Sequence, residues 1–443
     1  MGFPVIGNML MMDKLTHRGL AKLANKYGGI LHLKMGSGTL SSFQARKQAD
    51  MAFSDYGPFW RQMRKLCVMK LFSRKRAESW DSIRDEVDGM ISFVAKNISG
   101  SEVNVGELVF GLTRNIIYRA AFGASCSLGQ DEFIRIMQEF SKLFGEFNIA
   151  DFVPWLSWVD PHGLTDRLVK ARASLDGFID NIIDDHLEKK KCLKNVLVGD
   201  MVDELLAFYS EDETQVTEYD DLQNAMKLTR DNIKAIIMDV MFGGTETVAS
   251  AIEWTMAELM RSPEDLKKVQ AELDKVVGLD KKIEESDFDK LPYLKCCLKE
   301  TLRLHPPIPL LLHETAEATE VSGYYIPAKS RIVINAWAIG HDTNSWEDPD
   351  SFKPFRFLKE SVLDFKGNHF EFIPFGSGRR SCPEMQLGLY ALEVAHLLHC
   401  FTWKLPSGMK PSELDMSDVF GLTSPRATRL VSVPTPRLIC PLH

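Results

Sequence analysis

Residues 375–383 read FGSGRRSCP and lead into an apolar stretch, 385–401, that has helical spacing. The glycines allow the backbone to approach a flat ligand closely. Cys382 stands at the predicted helix entrance, where backbone N–H groups and the helix dipole stabilise a thiolate. Arg380 could pair with a carboxylate on such a ligand. A lone cysteine is more often an inert buried thiol, but the flanking glycines and arginines favour a ligand site.

Two further signatures precede this loop. Glu300 and Arg303 are three residues apart and share a predicted helix face, and PFRF follows at 354–357. Taken alone, such a pair is an ordinary surface ion pair worth under about 1 kcal/mol. Residues 243–247 read GGTET inside a predicted helix, where two glycines cost about 2 kcal/mol relative to alanine. This loss indicates either a local unwinding that opens a groove, into which an acid and a hydroxyl pass protons, or close helix packing on glycine.

Helical periodicity dominates the chain. Apolar spacings of three, four, seven and eight predict a helix over 233–260. A second helix is predicted from the cap Ser262, through Pro263 in its first position, to a stop at Gly278. A third is predicted over 294–304, before a proline pair that ends it.

Strand patterns are fewer than helical ones. Apolar and polar residues alternate over 31–35, and aromatic or β-branched runs occupy 324–326 and 331–334. The sequence therefore predicts a mainly α fold with a small β-sheet region.

The composition indicates one globular chain. Of its 443 residues 45% are apolar, and its formal net charge of −8 argues against non-specific nucleic-acid binding. Eight cysteines without a Cys-x-x-Cys pair fit a reducing compartment. There is no internal repeat, no long linker and no apolar run of about 18 residues. We therefore expect a single domain over 1–443 that lacks a membrane anchor.

Together and in their order along the chain, the signatures at 243–247, 300–303 and 375–383 resemble those of the cytochrome P450 haem-thiolate monooxygenases. The likeness extends over the whole chain. The resemblance implies that Cys382 binds the iron of haem b as a thiolate. It also implies that Glu300 and Arg303 pair with Arg356 and hold the segment that presents the cysteine loop. These last three roles are structural.

The same resemblance implies further contacts to the cofactor. Residues 60–64, WRQMR, match the family's Trp-x-x-x-Arg helix, and the spacing puts Trp60 and Arg64 on one face as haem propionate contacts. Without the resemblance, this pair is typical of a cation–π contact on a helix surface. The other implied cofactor contacts are His313, Phe375, Gly376 and Arg380.

Catalytic and substrate residues follow from the resemblance as well. Glu246 and Thr247 match the acid–alcohol pair that delivers protons to iron-bound dioxygen. Substrate contacts are implied at Leu310, Phe420 and Leu422.

Several stretches point to the plant microsomal branch of the family. Residues 56–66, 242–250 and 414–423 resemble the ferulate (coniferaldehyde) 5-hydroxylases most closely. This resemblance implies O₂-dependent hydroxylation of an aromatic phenylpropanoid in lignin biosynthesis, with NADPH electrons delivered by a reductase. Such relatives lie on the cytosolic face of the endoplasmic reticulum membrane through an N-terminal anchor, which we expect this chain to lack.

Two departures from the family pattern change the expectations. Glu384 stands where the family has a glycine, and its bulk and charge beside a thiolate should weaken haem binding or alter its reduction potential. Only 24 residues lie between Met35 and Trp60, with 36–50 abbreviated, which is too few for the family's strands and substrate-covering loop. We therefore expect part of the N-terminal sheet and that loop to be missing. The alternative functions are a haem-binding but catalytically impaired truncated relative, or a cofactor-free helical scaffold.

Overall fold

Apolar residues at helical spacing form most of the elements in this computed structural model. The described residues are 16–33, 50–52, 54–72, 81–97, 101–123, 133, 135, 136, 139, 143, 163–192, 200–210, 227–358, 364–385, 391–419 and 421–440. Residues 36–49 of the predicted abbreviated segment 36–50 lie outside the described residues, and so does the predicted substrate residue Phe420.

Helices and strands follow one another in an order typical of a mainly α protein. The described helices are α1 Thr16–Tyr27, α2 Pro58–Lys70, α3 Asp81–Lys96, α4 Val105–Phe122, α5 Leu164–Cys192, α6 Met201–Leu206, α7 Arg230–Arg261, α8 Pro263–Val276, α9 Glu285–Phe288, α10 Pro292–Leu304, α11 Ala336–Gly340 and α12 Ala391–Cys400. The described strands are β1 Val103–Asn104, β2 Leu310–Glu314, β3 Thr319–Val321, β4 Tyr324–Ile326, β5 Arg331–Asn335, β6 Phe401–Lys404 and β7 Val431–Pro436.

The predicted helix over 233–260 is confirmed as α7, which is 32 residues long. It is continuous through Gly243 and Gly244, so the first of the two alternatives, a local unwinding, is wrong. The turns on both sides bury apolar residues, and tertiary packing of this kind outweighs the propensity cost of two glycines. Close packing does not account for Gly243 either, because a Cβ added there would meet no described atom within 4 Å.

Most of the other predicted elements are also confirmed. The helix predicted from Ser262 is α8, although the Ser262 side chain makes no cap hydrogen bond. The runs at 324–326 and 331–334 form β4 and β5. The alternation at 31–35 is not a strand in its described part, 31–33, because no strand among the described residues pairs with it.

Both described ends of the apolar stretch 385–401 differ from the predicted helix. Met385 lies in a turn, the described part of α12 is Ala391–Cys400, and Phe401 starts β6. Phe401 pairs with Pro436 of β7, and this ladder ends the helix.

The contacts divide the chain into two compact units. The first comprises residues 1–80 and 116–243. Its core is built from the apolar faces of α2, α5, α6 and the first part of α7, with Leu66, Ile179, Leu205 and Ile236 among the buried residues. Within it the rings of Tyr118 and Phe122 meet edge to face, with centroids 5.0 Å apart.

The second unit comprises residues 81–115 and 244–443. It contains an antiparallel sheet in the order β1-β7-β6 and two antiparallel pairs, β2-β5 and β3-β4. Its aromatic core includes Trp346, Phe357 and Phe372. Trp254 of α7 stacks on His305 at the end of α10, with centroids 3.8 Å apart. This stacking joins the long helix to the segment that precedes β2.

Among the described residues, α7 is long and apolar enough to cross a membrane. Most of its apolar window is buried inside the protein, as in the core helix of a globular protein.

Candidate functional site

The loop 375–382 closes on itself and presents Cys382. The backbone N–H of Cys382 donates to Phe375 O at 2.9 Å, and the N–H of Ser381 donates to Gly378 O at 3.2 Å. Gly376 and Gly378 have φ values of +72° and +74°, which favour glycine, so the turn depends on them. Cys382 is half-buried, whereas Cys67, Cys296, Cys297 and Cys400 are buried.

Residues 365–367 pack against the cysteine loop, 375–382, and stabilise it. The Ser377 hydroxyl donates to Gly367 O at 2.7 Å. A Cβ added to Gly367 would lie 3.0 Å from Ser377 Cα, so a glycine is needed for this approach. Phe365 meets Phe375 edge to face, with ring centroids 5.5 Å apart. These contacts hold the loop through groups of the protein itself.

Strand β2 lies next to the cysteine loop. A Cβ added to Gly376 would lie 4.0 Å from Leu311 Cδ1. Burial, with the positive charge of Arg380, lowers the pKa of His313. The structure therefore brings together three predicted cofactor contacts, Gly376, Arg380 and His313. A neutral imidazole beside a guanidinium offers hydrogen bonding and positive charge to an anionic group.

Glu300 and Arg303 form a buried ion pair, and each side chain has 0% exposure. Arg303 Nε donates to Glu300 Oε2 at 2.9 Å, and its Nη2 donates to Oε1 at 2.8 Å. Arg356 Nε donates to the same Oε1 at 3.0 Å. The spacing alone suggests an ordinary ion pair on the surface, and the burial of both side chains shows that this interpretation is wrong. The three predicted structural residues lie together, at the start of the segment that leads to the cysteine loop.

The ion pair also holds the backbone around it. Arg303 donates to the carbonyls of Gly340 and Pro349, and the N–H of Lys353 donates to Glu300 Oε1 at 2.8 Å. A Cβ added to Gly340 would collide with Arg303 O at 2.4 Å. Only a glycine at position 340 therefore allows this packing.

Glu246 and Thr247 lie on α7, in the second unit. The hydroxyl of Thr423 donates to Glu246 Oε2 at 3.0 Å. The sequence reasoning missed Thr423, although it lies next to the predicted substrate residue Leu422. No periodic signal links two residues that are 177 positions apart.

Trp60 and Arg64 lie on α2, in the first unit. The Arg64 guanidinium lies 5.6 Å from the Trp60 ring centroid, so the predicted shared face is present. The indole N–H of Trp60 donates to Met51 O at 2.9 Å. An indole has one N–H, so in this structure that donor is already engaged. A propionate contact for the pair stays a prediction.

The remaining predicted residues differ in exposure. Leu310 on β2 is half-buried, and Leu422 is exposed. Glu384, next to the cysteine loop, is half-buried, and burial raises its pKa to about 7. The neutral form is thereby favoured relative to an exposed carboxylate, which reduces the predicted repulsion between Glu384 and a thiolate.

The donor set fits a planar, anionic metal cofactor. The half-buried Cys382 thiol is a soft metal ligand. The glycines at 376 and 378 have no side chains that would keep a flat ligand away from the loop backbone. Arg380 and His313 can bind carboxylates. The fold and this loop define a mainly helical protein that presents one cysteine to such a cofactor.

Comparison with known proteins agrees with this class. The family model described as Cytochrome P450 matches residues 37–431. Cytochrome P450 84A1 of Arabidopsis thaliana is 66% identical to this chain over 476 aligned residues, covering 100% of the chain and 91% of the relative. Cytochrome P450 84A4 of the same plant is 56% identical, covering 100% and 92%. The chain therefore belongs to the cytochrome P450 family.

Solved structures show the same fold. A zebrafish cytochrome P450 solved with progesterone superposes with a TM-score of 0.73 at 23% identity, covering 95% of this chain and 99% of that one. The predicted mainly α cytochrome P450 fold is confirmed. As a member of this family, the chain is a haem-dependent monooxygenase, and family members use O₂, an organic substrate and a reductase that typically draws on NADPH.

The alignment with Cytochrome P450 84A1 also shows a difference in length between the two chains. Its 476 positions exceed the 443 residues of the chain, so the aligned region of the relative contains residues without a counterpart here.

Proposed function

We propose that this chain hydroxylates the aromatic ring of a ferulate- or coniferaldehyde-type phenylpropanoid at the 5-position, as part of lignin biosynthesis. The observation that carries the proposal is the closed loop at 375–382, which presents Cys382 and also carries Arg380, whose positive charge acts on His313. The stretches 56–66, 242–250 and 414–423 support the substrate class through their resemblance to ferulate 5-hydroxylases. The 66% identity with Cytochrome P450 84A1 supports the plant branch.

Each residue has a role in this proposal. When haem is bound, it supplies the activation of O₂: one oxygen atom enters a ring C–H bond, and the other leaves as water with two electrons and two protons. The Cys382 sulfur binds the iron, supported by Phe375 and Gly376 of its loop. Arg380 and His313 hold the cofactor's carboxylates. The other assigned residues are Trp60 and Arg64 for the carboxylates, and Glu300, Arg303 and Arg356 for the backbone that carries the loop.

Proton delivery and substrate contact are assigned to residues outside the loop. Glu246 holds a proton and passes it on through the Thr247 hydroxyl, which is the general acid–base role of such a pair. Leu310, Phe420 and Leu422 are the proposed substrate contacts. We place both functions in one monooxygenase domain that extends over 1–443.

The partner and the location follow from the same branch of the family. We propose an NADPH–cytochrome reductase as the electron donor and the cytosolic face of the endoplasmic reticulum membrane as the location. Plant relatives are usually anchored to that membrane. We propose no nucleic-acid partner, because a formal net charge of −8 disfavours binding to the phosphate backbone.

The test is a spectrum followed by turnover. Purified chain supplied with haem should give a red-shifted Soret band for its reduced carbonyl complex, and it should convert coniferaldehyde in the presence of reductase and NADPH. Cys382→Ala should lose the band. Cys440→Ser removes another half-buried thiol and should keep it. A chain that stays colourless with haem would contradict the proposal.

The second candidate is a haem-binding but catalytically impaired relative. Glu384 and the residues of the relative that have no counterpart in this chain favour it. It would give the Soret band without an NADPH-dependent product on hydroxycinnamyl aldehydes, alcohols or acids. Membership of a haem-binding family argues against the cofactor-free scaffold.

A further inference from the structure

The turn at 421–426 contacts the predicted proton carrier directly. Thr423 is 8% exposed, and its hydroxyl donates to Glu246 Oε2 at 3.0 Å. A hydrogen bond from a largely buried hydroxyl to a carboxylate belongs to the stronger class in proteins. Thr423 therefore limits the positions that the Glu246 carboxyl group can occupy.

The backbone of this turn is anchored on two sides. Ser424 N–H donates to Pro307 O at 2.9 Å. The indole N–H of Trp254, on α7, donates to Ser424 O at 3.1 Å. Thr423 is also β-branched, which restricts its first side-chain torsion. The hydroxyl is thus held in place by the backbone of the turn and by few available rotamers.

A threonine hydroxyl can serve both protonation states of a carboxyl group. It donates to an ionised carboxylate and, after rotation of its O–H, accepts from a protonated one. Glu246 can therefore take up and release a proton without losing this partner. A valine at 423 would have the same shape but would offer neither interaction.

We propose that Thr423 is the positioning residue of the proton-delivery carboxyl group, and that its hydroxyl holds Glu246 in the arrangement that serves the reaction. The inference rests on the proposed function. Thr423 follows Leu422, so one turn carries a proposed substrate contact and the support of the proton carrier. Movement of the turn would therefore move both.

The first test needs no cofactor activity. A double-mutant cycle in urea unfolding combines Thr423→Val with Glu246→Ala in the full chain. The two substitutions should be coupled by about tenfold in the unfolding equilibrium constant, which is typical of a hydrogen bond to a charged group. Coupling below about twofold would overturn the contact.

The second test measures how electrons are used with coniferaldehyde, reductase and NADPH. Thr423→Val should raise the share of NADPH electrons that end in hydrogen peroxide several-fold and displace the pH profile of product formation. Thr423→Ser should restore both. Ser424→Ala is the matched control, because the Ser424 hydroxyl is buried without a hydrogen-bond partner among the described residues.

The outcomes separate this inference from the proposed function. Coupling in the cycle with an unchanged peroxide share would overturn the positioning role. Absence of product with the wild-type chain would count against the proposed function, and the cycle would then decide alone whether Thr423 holds Glu246.

Discussion

Glu300 accepts four hydrogen bonds and has no exposed side-chain surface. Two arginines and one backbone N–H share its two oxygens, so its negative charge is balanced inside the protein. Removing one charge of a buried pair leaves the other uncompensated, which costs more than the pair itself contributes. The charge of Glu300 therefore stabilises the arrangement of Arg303, Arg356 and the backbone of Lys353.

We predict that Glu300→Gln lowers the free energy of unfolding by about 3 kcal/mol, because Arg303 then remains buried without its counter-charge. Urea unfolding measures this change. Glu264→Gln is the matched control, since Glu264 and Lys267 are also three residues apart and in contact at 2.9 Å, but both are exposed. Equal effects of the two substitutions would contradict the prediction.

At the scale of elements, an ion pair joins α5 to the start of α6. His186 Nδ1 is 2.7 Å from Ile182 O, and its Nε2 is 2.9 Å from Asp200 Oδ2. Asp200 Oδ1 accepts the N–H of Asp203 and caps α6. One side-chain nitrogen of His186 and one carboxylate oxygen each of Asp200 and Asp203 lie within 4.8 Å of one another. Burial alone lowers the pKa of His186, but the hydrogen bond and charge of Asp200 outweigh it and raise that pKa.

A raised histidine pKa stabilises the folded protein at low pH. The contribution is complete below the unfolded pKa of about 6.5 and is lost as pH rises through the folded value. Asp200→Asn should keep the cap, since asparagine caps as well as aspartate, while it removes the charge. We predict that it costs about 1.5 kcal/mol at pH 6 and less at pH 9. Unfolding curves measured between these pH values test this, and a pH-independent difference would contradict it.

At the scale of the whole molecule, local patterns predicted the elements and missed the contacts between them. α7, α8 and α10 follow from apolar periods and from proline positions, which act within a few residues. The contact between Thr423 and Glu246 spans 177 positions, and nothing local marks it. The burial of Glu300 depends on backbone groups up to Lys353, so spacing alone suggested a surface pair. Of the two alternatives for 243–244, the local unwinding is wrong because packing along α7 outweighs the cost of glycine.

Haem should stabilise the molecule as a whole, because a ligand that binds only the folded state raises its free energy of unfolding. We predict that the thermal midpoint rises with added haem and that Cys382→Ala loses most of this rise. Glu384→Gly should enlarge it, because a glycine removes bulk and charge beside the sulfur. A tenfold tighter haem complex corresponds to about 1.4 kcal/mol.

Glu384→Gln separates the two causes, since it removes the charge and keeps the bulk. If charge dominates, the glutamine variant should match the glycine variant in a haem titration followed by thermal unfolding. If bulk dominates, it should match the wild-type chain. Identical midpoints for wild type and Glu384→Gly at every haem concentration would show that Glu384 does not limit haem binding. The weakness of any measured haem complex would then have to arise elsewhere in the chain.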